Sequence, residues 1–220
     1  MNNRPSLNRP LSDVNRPSLN KPLSEVLAAG PSPDKYESIL LAAIRVFARN
    51  GFFNAKVADV AREAGVADGT VYLYFKNKEE LLTSIFNYTL DEAIALAKVE
   101  TEAVADPAQK LERLAKLYLR LMGKDRNLAV VFHFELRQPK FIEQFSATKL
   151  NEFLDFIVAA VKEGQLGGSF REEISPSIAA RALYGALAER VIQWILSQDE
   201  APLVDSCGPL IDLFLNGVRR

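Results

Sequence analysis

The stretch VADVAREAGVADGTVYLYF, Val57–Phe75, most narrowly limits what this chain can fold into. Its apolar positions Val57, Val60, Ala61 and Ala64 precede Gly65, and Val66 and Val71 follow it, all at helical spacing. Two short helices are implied, at about Val57–Ala64 and Asp68–Phe75, crossing steeply around a three- or four-residue turn. Ala61 is small enough to let the helices lie close, and Gly65 tolerates the left-handed backbone of such a turn. Val66 and Val71 then pin the second helix to the first. Taken alone, this spacing fits a helix-turn-helix and also a purely structural corner between helices.

The rest of the chain from Asp34 onward reads as helix too. Ile39, Leu40, Ala43, Ile44, Phe47 and Ala48 form one amphipathic face, stopped at Asn50-Gly51. Further helices are predicted from Lys78 to about Val104, from Asp106-Pro107 to Met122, over Arg126–Arg137, over about Phe141–Glu163, from Ser175-Pro176 to Ser197 and from Ala201-Pro202 to Gly217. No convincing alternating strand occurs, so the expected fold is all-α with about nine helices. Hydrophobic residues make up 48% of the 220, enough for a real core.

Residues 1–33 differ in texture. Asn3–Val14, NRPSLNRPLSDV, is repeated as Asn15–Val26, NRPSLNKPLSEV, with charge kept at both main differences. Two prolines per copy forbid a regular helix, and few side chains could support a core, so a disordered tail is expected. It reads as a linker, as an arm whose Arg4, Arg9, Arg16 and Lys21 touch phosphates, or as a peptide docking site. The domains expected are this tail, a helix-turn-helix unit over 34–85 and a larger helical unit over 86–220.

Bulk properties remove several classes of function. A net charge of −1 argues against coating nucleic acid or membrane through overall charge, so any such contact needs a local basic face. The single cysteine, Cys207, leaves no internal disulfide and no cysteine-based zinc cluster. The N-terminus has no apolar signal region and no run reaches transmembrane length, so a cytoplasmic protein without membrane contact is expected.

A basic face is available beside the turn. Asp68, Gly69 and Thr70 are small enough to let the end of a recognition helix approach base edges, and Thr70 offers a hydroxyl and a methyl. Tyr72 and Tyr74 can hold hydroxyls at phosphate oxygens while their rings pack, with Phe75 as a core plug. Lys76 and Lys78 add charged contacts, and Lys78 opens a helix whose first amides favour an anion. Lys35 and Lys56 extend the phosphate track, and Val57 and Leu73 complete the candidate DNA-binding set.

At these residues the chain resembles a known family. FARNGFFNAKVADVAREAGVADGTVYLYFKNKEELL, Phe47–Leu82, is similar to the DNA-binding domain of TetR-family transcriptional regulators. The pattern is met by Ala64-Gly65-Val66, Gly69, Tyr72-Leu73-Tyr74-Phe75 and Lys78-Glu79-Glu80-Leu81. Where the family often has a hydroxyl residue before the Val57 position, this chain has Ala55-Lys56, which suggests that Lys56 takes over that phosphate contact. The resemblance implies a C-terminal ligand-binding and dimerisation domain, binding to palindromic double-stranded operator DNA as a homodimer, and no enzyme activity.

DRNLAVVFHFELRQPK, Asp125–Lys140, and ARALYGALAERVIQWIL, Ala180–Leu196, resemble the TetR-type fatty-acid-degradation repressors, which long-chain acyl-CoA releases from DNA. That implies a hydrophobic effector, possible as acyl-CoA, and no cofactor. Ala129–Leu136 is apolar apart from His133 and Glu135, as befits a buried helix or a tunnel wall. Leu117, Leu121, Phe132, Phe134, Phe153, Phe156, Leu183, Leu187 and Trp194 are candidates for the wall, each with ordinary core packing as the alternative. His133 reads as a buried, hydrogen-bonded residue, and no partners for a metal stand near it in sequence. Arg137, beside Gln138, can meet a CoA phosphate or form a surface ion pair.

Ala179, Leu183, Ala186, Leu187, Ile192 and Ile195 mark one face of the penultimate helix, and Leu203, Leu210, Leu213 and Phe214 one face of the last. Paired with a second copy they would make a four-helix interface; packing within one chain is the alternative. Against the repressor stand an enzyme, which lacks a nucleophile with a positioned base, an efflux regulator answering hydrophobic drugs, and a DNA-organising protein of the same fold without a small ligand. The tail yields a direct test. A chain starting at residue 34 is expected to remain a folded dimer with its melting temperature within about 2 °C of the full chain's, because the tail has little apolar surface to bury; a drop of about 5 °C or more in calorimetry would show that the tail packs.

Overall fold

The computed structural model describes residues 35–135, 147–197 and 201–218. The repeat tail, Arg137, Gln138 and the start of the helix expected at Phe141 lie outside these residues. Among them are nine α-helices and no β-strand. The helices are α1 Lys35–Asn50, α2 Val57–Ala64, α3 Asp68–Tyr72, α4 Lys78–Glu102, α5 Pro107–Gly123, α6 Arg126–Val130, α7 Ala147–Leu166, α8 Pro176–Leu196 and α9 Cys207–Val218. No described helix is long and apolar enough to cross a membrane.

Helix starts follow from local chemistry. Asn77 accepts the Glu80 N–H at 2.7 Å while the Glu80 carboxylate accepts the Lys76 N–H at 2.7 Å, which opens α4. Asp106 precedes Pro107 at the first turn of α5, and Asp125 accepts the Asn127 N–H at 2.7 Å at the start of α6. The glycine stops are equally local. Gly51 (φ 72°) ends α1 and Gly65 (φ 68°) ends α2, both in left-handed backbone.

Several boundaries differ from expectation, and α3 ends at Tyr72 rather than Phe75. The α6 helix does not run on as α-helix; at Val131 it widens into a π-helix, Val131–Glu135. The wide turn lets three consecutive side chains, Val131, Phe132 and His133, be buried together. The last helix begins at Cys207 rather than Pro202, after a 3-10 turn over Leu203–Ser206. Starting there puts Pro209 in the first turn, where its missing N–H has no helical partner to lose.

Helices α1–α3 pack as a three-helix unit around Ile39, Ile44, Phe47, Val60, Ala61, Val71 and Phe75. Helix α4 leaves that unit and becomes one member of the larger bundle, packed on α5 and α7, with α8 on the far side of α7. Ion pairs from Arg113 and Arg120 to Glu100, and from Lys124 to the buried Glu92, run along the α4–α5 seam. The larger unit also touches the smaller one directly, since α6 and the π turn pack on α1. Cys207 is a small core residue whose thiol burial pushes up in pKa, mainly through desolvation.

The chain reverses after α7 through a tight contact at Gly164. The Gly164 carbonyl accepts the Ser169 and Phe170 N–H groups at 2.9 and 3.0 Å, which lays the buried Phe170 ring on the glycine. A side-chain carbon there would fall inside the ring. Gly164→Ala is therefore expected to destabilise the protein by about 1–3 kcal/mol, an overpacking cost, in denaturant unfolding; Gly69→Ala, where a side-chain carbon meets open space, serves as control.

Candidate DNA-binding face and effector interior

The turn between α2 and α3 is built as the glycine demands. The Gly65 N–H bonds to the Arg62 carbonyl at 3.2 Å and the Val66 N–H to the Ala61 carbonyl at 3.0 Å, so both exposed carbonyl ends of α2 are capped. Glu63 on α2 bridges Arg45 at 2.8 Å and Arg49 at 3.3 Å on α1, and the Arg45 hydrogen bond holds its carboxyl below the usual carboxylate range. Helix α3 is thereby fixed with Asp68 and Gly69 exposed and Thr70 half-buried at its leading end.

The three rings divide as chemistry requires. Phe75 is buried at 2% exposure and stacks on Tyr36 of α1, with centroids 5.1 Å apart. Tyr74 leans edge-on against Tyr36 at 6.2 Å, and Tyr72 stands 56% exposed. Leu73 at 75% and Phe53 at 60% are exposed as well. Lys35, Lys56 and Lys76 are exposed, Val57 is half-buried, and Ala55 is buried, so Ala55 has no side chain to offer a phosphate. Tyr36 and Phe53 were not among the residues singled out in the sequence; the aromatic at position 36, one helix away, gave no local hint of its contact with Phe75.

Lys78 is placed differently from a simple phosphate contact. Its ammonium donates to the carbonyls of Phe52, Phe53 and Ala55 at 2.7, 2.9 and 3.0 Å, and lies 4.6 Å from the centroid of the Phe52 ring. All three of its N–H donors are engaged in this arrangement. One of the first amides of α4, that of Glu80, is likewise met by Asn77. Lys78 thus ties the start of α4 to the loop between α1 and α2.

In the larger unit Leu117, Leu121, Phe132, Phe153, Leu183 and Leu187 are all buried within one apolar interior. Its rings form a ladder. Phe86 of α4 stacks on Phe132 at 5.1 Å, and Tyr118 of α5 meets Tyr184 of α8 at 5.5 Å and Phe153 of α7 at 6.3 Å. The polar point in the ladder is the Tyr118 hydroxyl, 3.0 Å from His133 Nε2. Tyr118 was missed in sequence reading, although it lies on the apolar face of α5 with Leu111, Leu114 and Leu121. Phe134 is 40% exposed and points away from this interior, Phe156 is half-buried, and Trp194 sits beneath the Arg126 guanidinium at 4.4 Å. Among the described residues no cluster of His, Cys, Asp and Glu could hold a metal.

The face expected on α8 is rotated. Ala179, Leu183 and Leu187 are buried within the chain, as is Leu203, because α8 packs these on α7 and α5. What α8 leaves uncovered is Ile178, Ala182, Gly185, Ala186 and Leu196, and Leu213 of α9 is exposed as well; Ile178, Leu196 and Leu213 are 68%, 74% and 74% exposed.

A three-helix unit presenting a short exposed helix after a glycine turn, joined by one long helix to a second apolar bundle, is the build of a helical DNA-binding regulator. The chain belongs to the TetR family: the model "Bacterial regulatory proteins, tetR family" matches residues 39–85, and "YsiA-like protein, C-terminal region" matches 86–217. It is 32% identical over 187 residues to the fatty acid metabolism regulator protein of Bacillus subtilis, covering 84% of this chain and 96% of that one. The crystal structure of FadR from Bacillus subtilis in complex with stearoyl-CoA superposes with a TM-score of 0.78 at 31% identity, over 84% of this chain and 100% of that chain. FadR from Bacillus halodurans gives 0.77 at 31% identity, over the same shares.

The lysines of the face separate in experiment. Lys56→Ala is expected to weaken DNA binding to every sequence and to flatten the log–log salt slope by about one. Lys78→Ala is expected to leave three carbonyls unmet and to lower stability by about 2–3 kcal/mol, with the salt slope changed by well under one. Titrations at several salt concentrations, paired with urea unfolding, read both effects.

Proposed function

We propose that the protein is a dimeric transcriptional repressor that long-chain acyl-CoA releases from palindromic operator DNA, controlling genes of fatty-acid metabolism. The observation that carries this reading is the likeness to the stearoyl-CoA-bound regulator, which extends over the whole of that chain and through both units of this one. The apolar interior supports it, since an acyl chain asks for a wall of rings and aliphatic side chains with few polar groups. In this reading Leu117, Leu121, Phe132, Phe153 and Leu187 line the acyl path, Tyr118 and His133 supply its polar point, and Arg137 and Gln138 serve the CoA end. Residues 34–85 act as the DNA-binding domain and 86–220 as the effector domain.

On the DNA side, Thr70 reads bases, Tyr72 and Tyr74 meet the backbone through their hydroxyls, and Lys35, Lys56 and Lys76 add charge. Asp68, Gly69 and Leu73 set how closely α3 approaches. Such a regulator works where the chromosome is, in the cytoplasm. The second copy covers the uncovered stripe of α8: Ala182, Gly185 and Ala186 allow two helices to approach closely, and Ile178, Leu196 and Leu213 add apolar area.

A gel-shift titration with the purified dimer tests the effector. Stearoyl-CoA at micromolar concentration is expected to release operator DNA by about 5–150-fold in affinity, the usual range of such coupling, whereas CoA alone has no effect. Release by cationic hydrophobes but not by acyl-CoA would replace the effector class and leave the DNA-binding reading standing. Gly185→Arg is expected to give monomers in sedimentation and to abolish operator binding at nanomolar protein.

A further inference from the structure

At the end of the bundle away from α1–α3, the last turn of α4, the first turns of α5 and the C-terminal half of α7 enclose a cleft of about 210 Å³. Its apolar side is made by Phe156, Ala159 and Ala160 of α7. Its polar side carries Glu102 of α4, Glu163 of α7 and Lys110 of α5. Lys110 is spoken for: its ammonium bonds to Glu163 at 2.5 Å, and its side chain is only 16% exposed. Glu102 is exposed at the final residue of α4. The lining thus holds two carboxylates against one ammonium, and the surplus charge at the cleft is negative.

These facts select an occupant. Pockets for drug-sized ligands run at about 300–1,000 Å³, so a cleft of 210 Å³ takes a small molecule and not a long-chain acyl-CoA. A phosphate-bearing group would meet repulsion from Glu102, while Lys110 and Glu163 are paired with one another. A flat apolar body can pack on Phe156, and an ammonium at one end can pair with the surplus carboxylate charge. We propose that this cleft is a second ligand site, for small organic amines with an apolar body, separate from the acyl path. Such an amine packs on Phe156, with its ammonium donating to the Glu102 carboxylate and sharing that of Glu163. Because Glu102 terminates α4, occupancy also tethers the far end of that helix to α7.

Phenethylamine is a suitable probe, with phenethyl alcohol and 3-phenylpropionate as neutral and anionic matches. Heteronuclear NMR titration of the full-length dimer is expected to show amine binding with a dissociation constant of about 1 mM or tighter, with shifts concentrated at Glu102, Phe156 and Ala159. The alcohol and the carboxylate are expected to bind at least about tenfold more weakly. Glu102→Gln should weaken the amine about fivefold, in keeping with a solvent-accessible ion pair, and Ala159→Trp, at an exposed position, should abolish binding by filling the cleft while the melting temperature holds. Equal binding of all three probes, or amine binding unchanged in Ala159→Trp, overturns the proposal. So does loss of stearoyl-CoA binding in Ala159→Trp, which would assign the cleft to the acyl path. A failure of stearoyl-CoA to act on the wild-type protein bears on the effector reading alone and leaves the amine titration to stand by itself.

Discussion

The tie between Lys78 and the loop before α2 sets the geometry on which everything else rests. A helix of 25 residues can transmit a tilt to its neighbours only if its end is fixed to what it moves. Here the first residue of α4 gathers three carbonyls from Phe52, Phe53 and Ala55 around one ammonium, over the Phe52 ring. Those carbonyls close the segment between α1 and α2, and Phe52 itself packs edge-on against Phe47 of α1 at 5.5 Å. The three-helix unit and the start of α4 therefore move as one body. A charge that looks in sequence like a partner for DNA is spent on holding the frame that carries the DNA-reading helix.

That reassignment shows what local sequence can and cannot convey. The helices, the Gly65 turn and the burial of Phe75 against exposed Tyr72 follow from spacing, residue size and φ preference, all of which act within a few positions. The acceptors of Lys78 lie 23 to 26 residues upstream and are backbone atoms, which carry no residue signature. The π turn at Val131 was hidden for a related reason. Helical periodicity fixes that Val131, Phe132 and His133 are apolar or aromatic, but only the packing of Phe132 on Phe86 and of His133 on Tyr118 requires all three to face inward. The uncovered side of α8 was misjudged by a rotation, since a helix with apolar residues nearly all round offers no pattern to say which side faces the core and which faces out.

The interior gives the proposed switch its physical form. Ligand can shift a conformational equilibrium only by its difference in affinity for the two states. The ring ladder concentrates such differences, because Phe132 touches α4 through Phe86 while its neighbour His133 bonds to Tyr118 of α5. The same π turn reaches the smaller unit, where a side-chain carbon at Gly51 would lie 3.7 Å from the Glu135 carboxylate. In that proposed switch, an acyl chain parting Phe132 from its neighbours would act on α4 by the ladder and on α1 by the π turn.

These two routes converge on one rigid unit, and that convergence decides what the motion can be. Since Lys78 binds the start of α4 to the α1–α2 loop, displacement of α4 carries α3 with it rather than bending the joint. Farther along, Glu100 holds Arg113 and Arg120 and Glu92 faces Lys124, so α4 and α5 resist sliding past one another. The remaining freedom is rotation of α4 together with the unit it carries, α1 included, against α6. In the proposed dimer joined through α8 and α9, the same small rotation in each copy moves the two α3 helices equivalently about the axis and changes the one distance between them. Operator half-sites lie one DNA turn apart, about 34–36 Å, and a change of a few ångströms in that distance leaves the two α3 helices unable to occupy both grooves at once. The binding free energy of the second half-site is then lost without any contact between ligand and DNA.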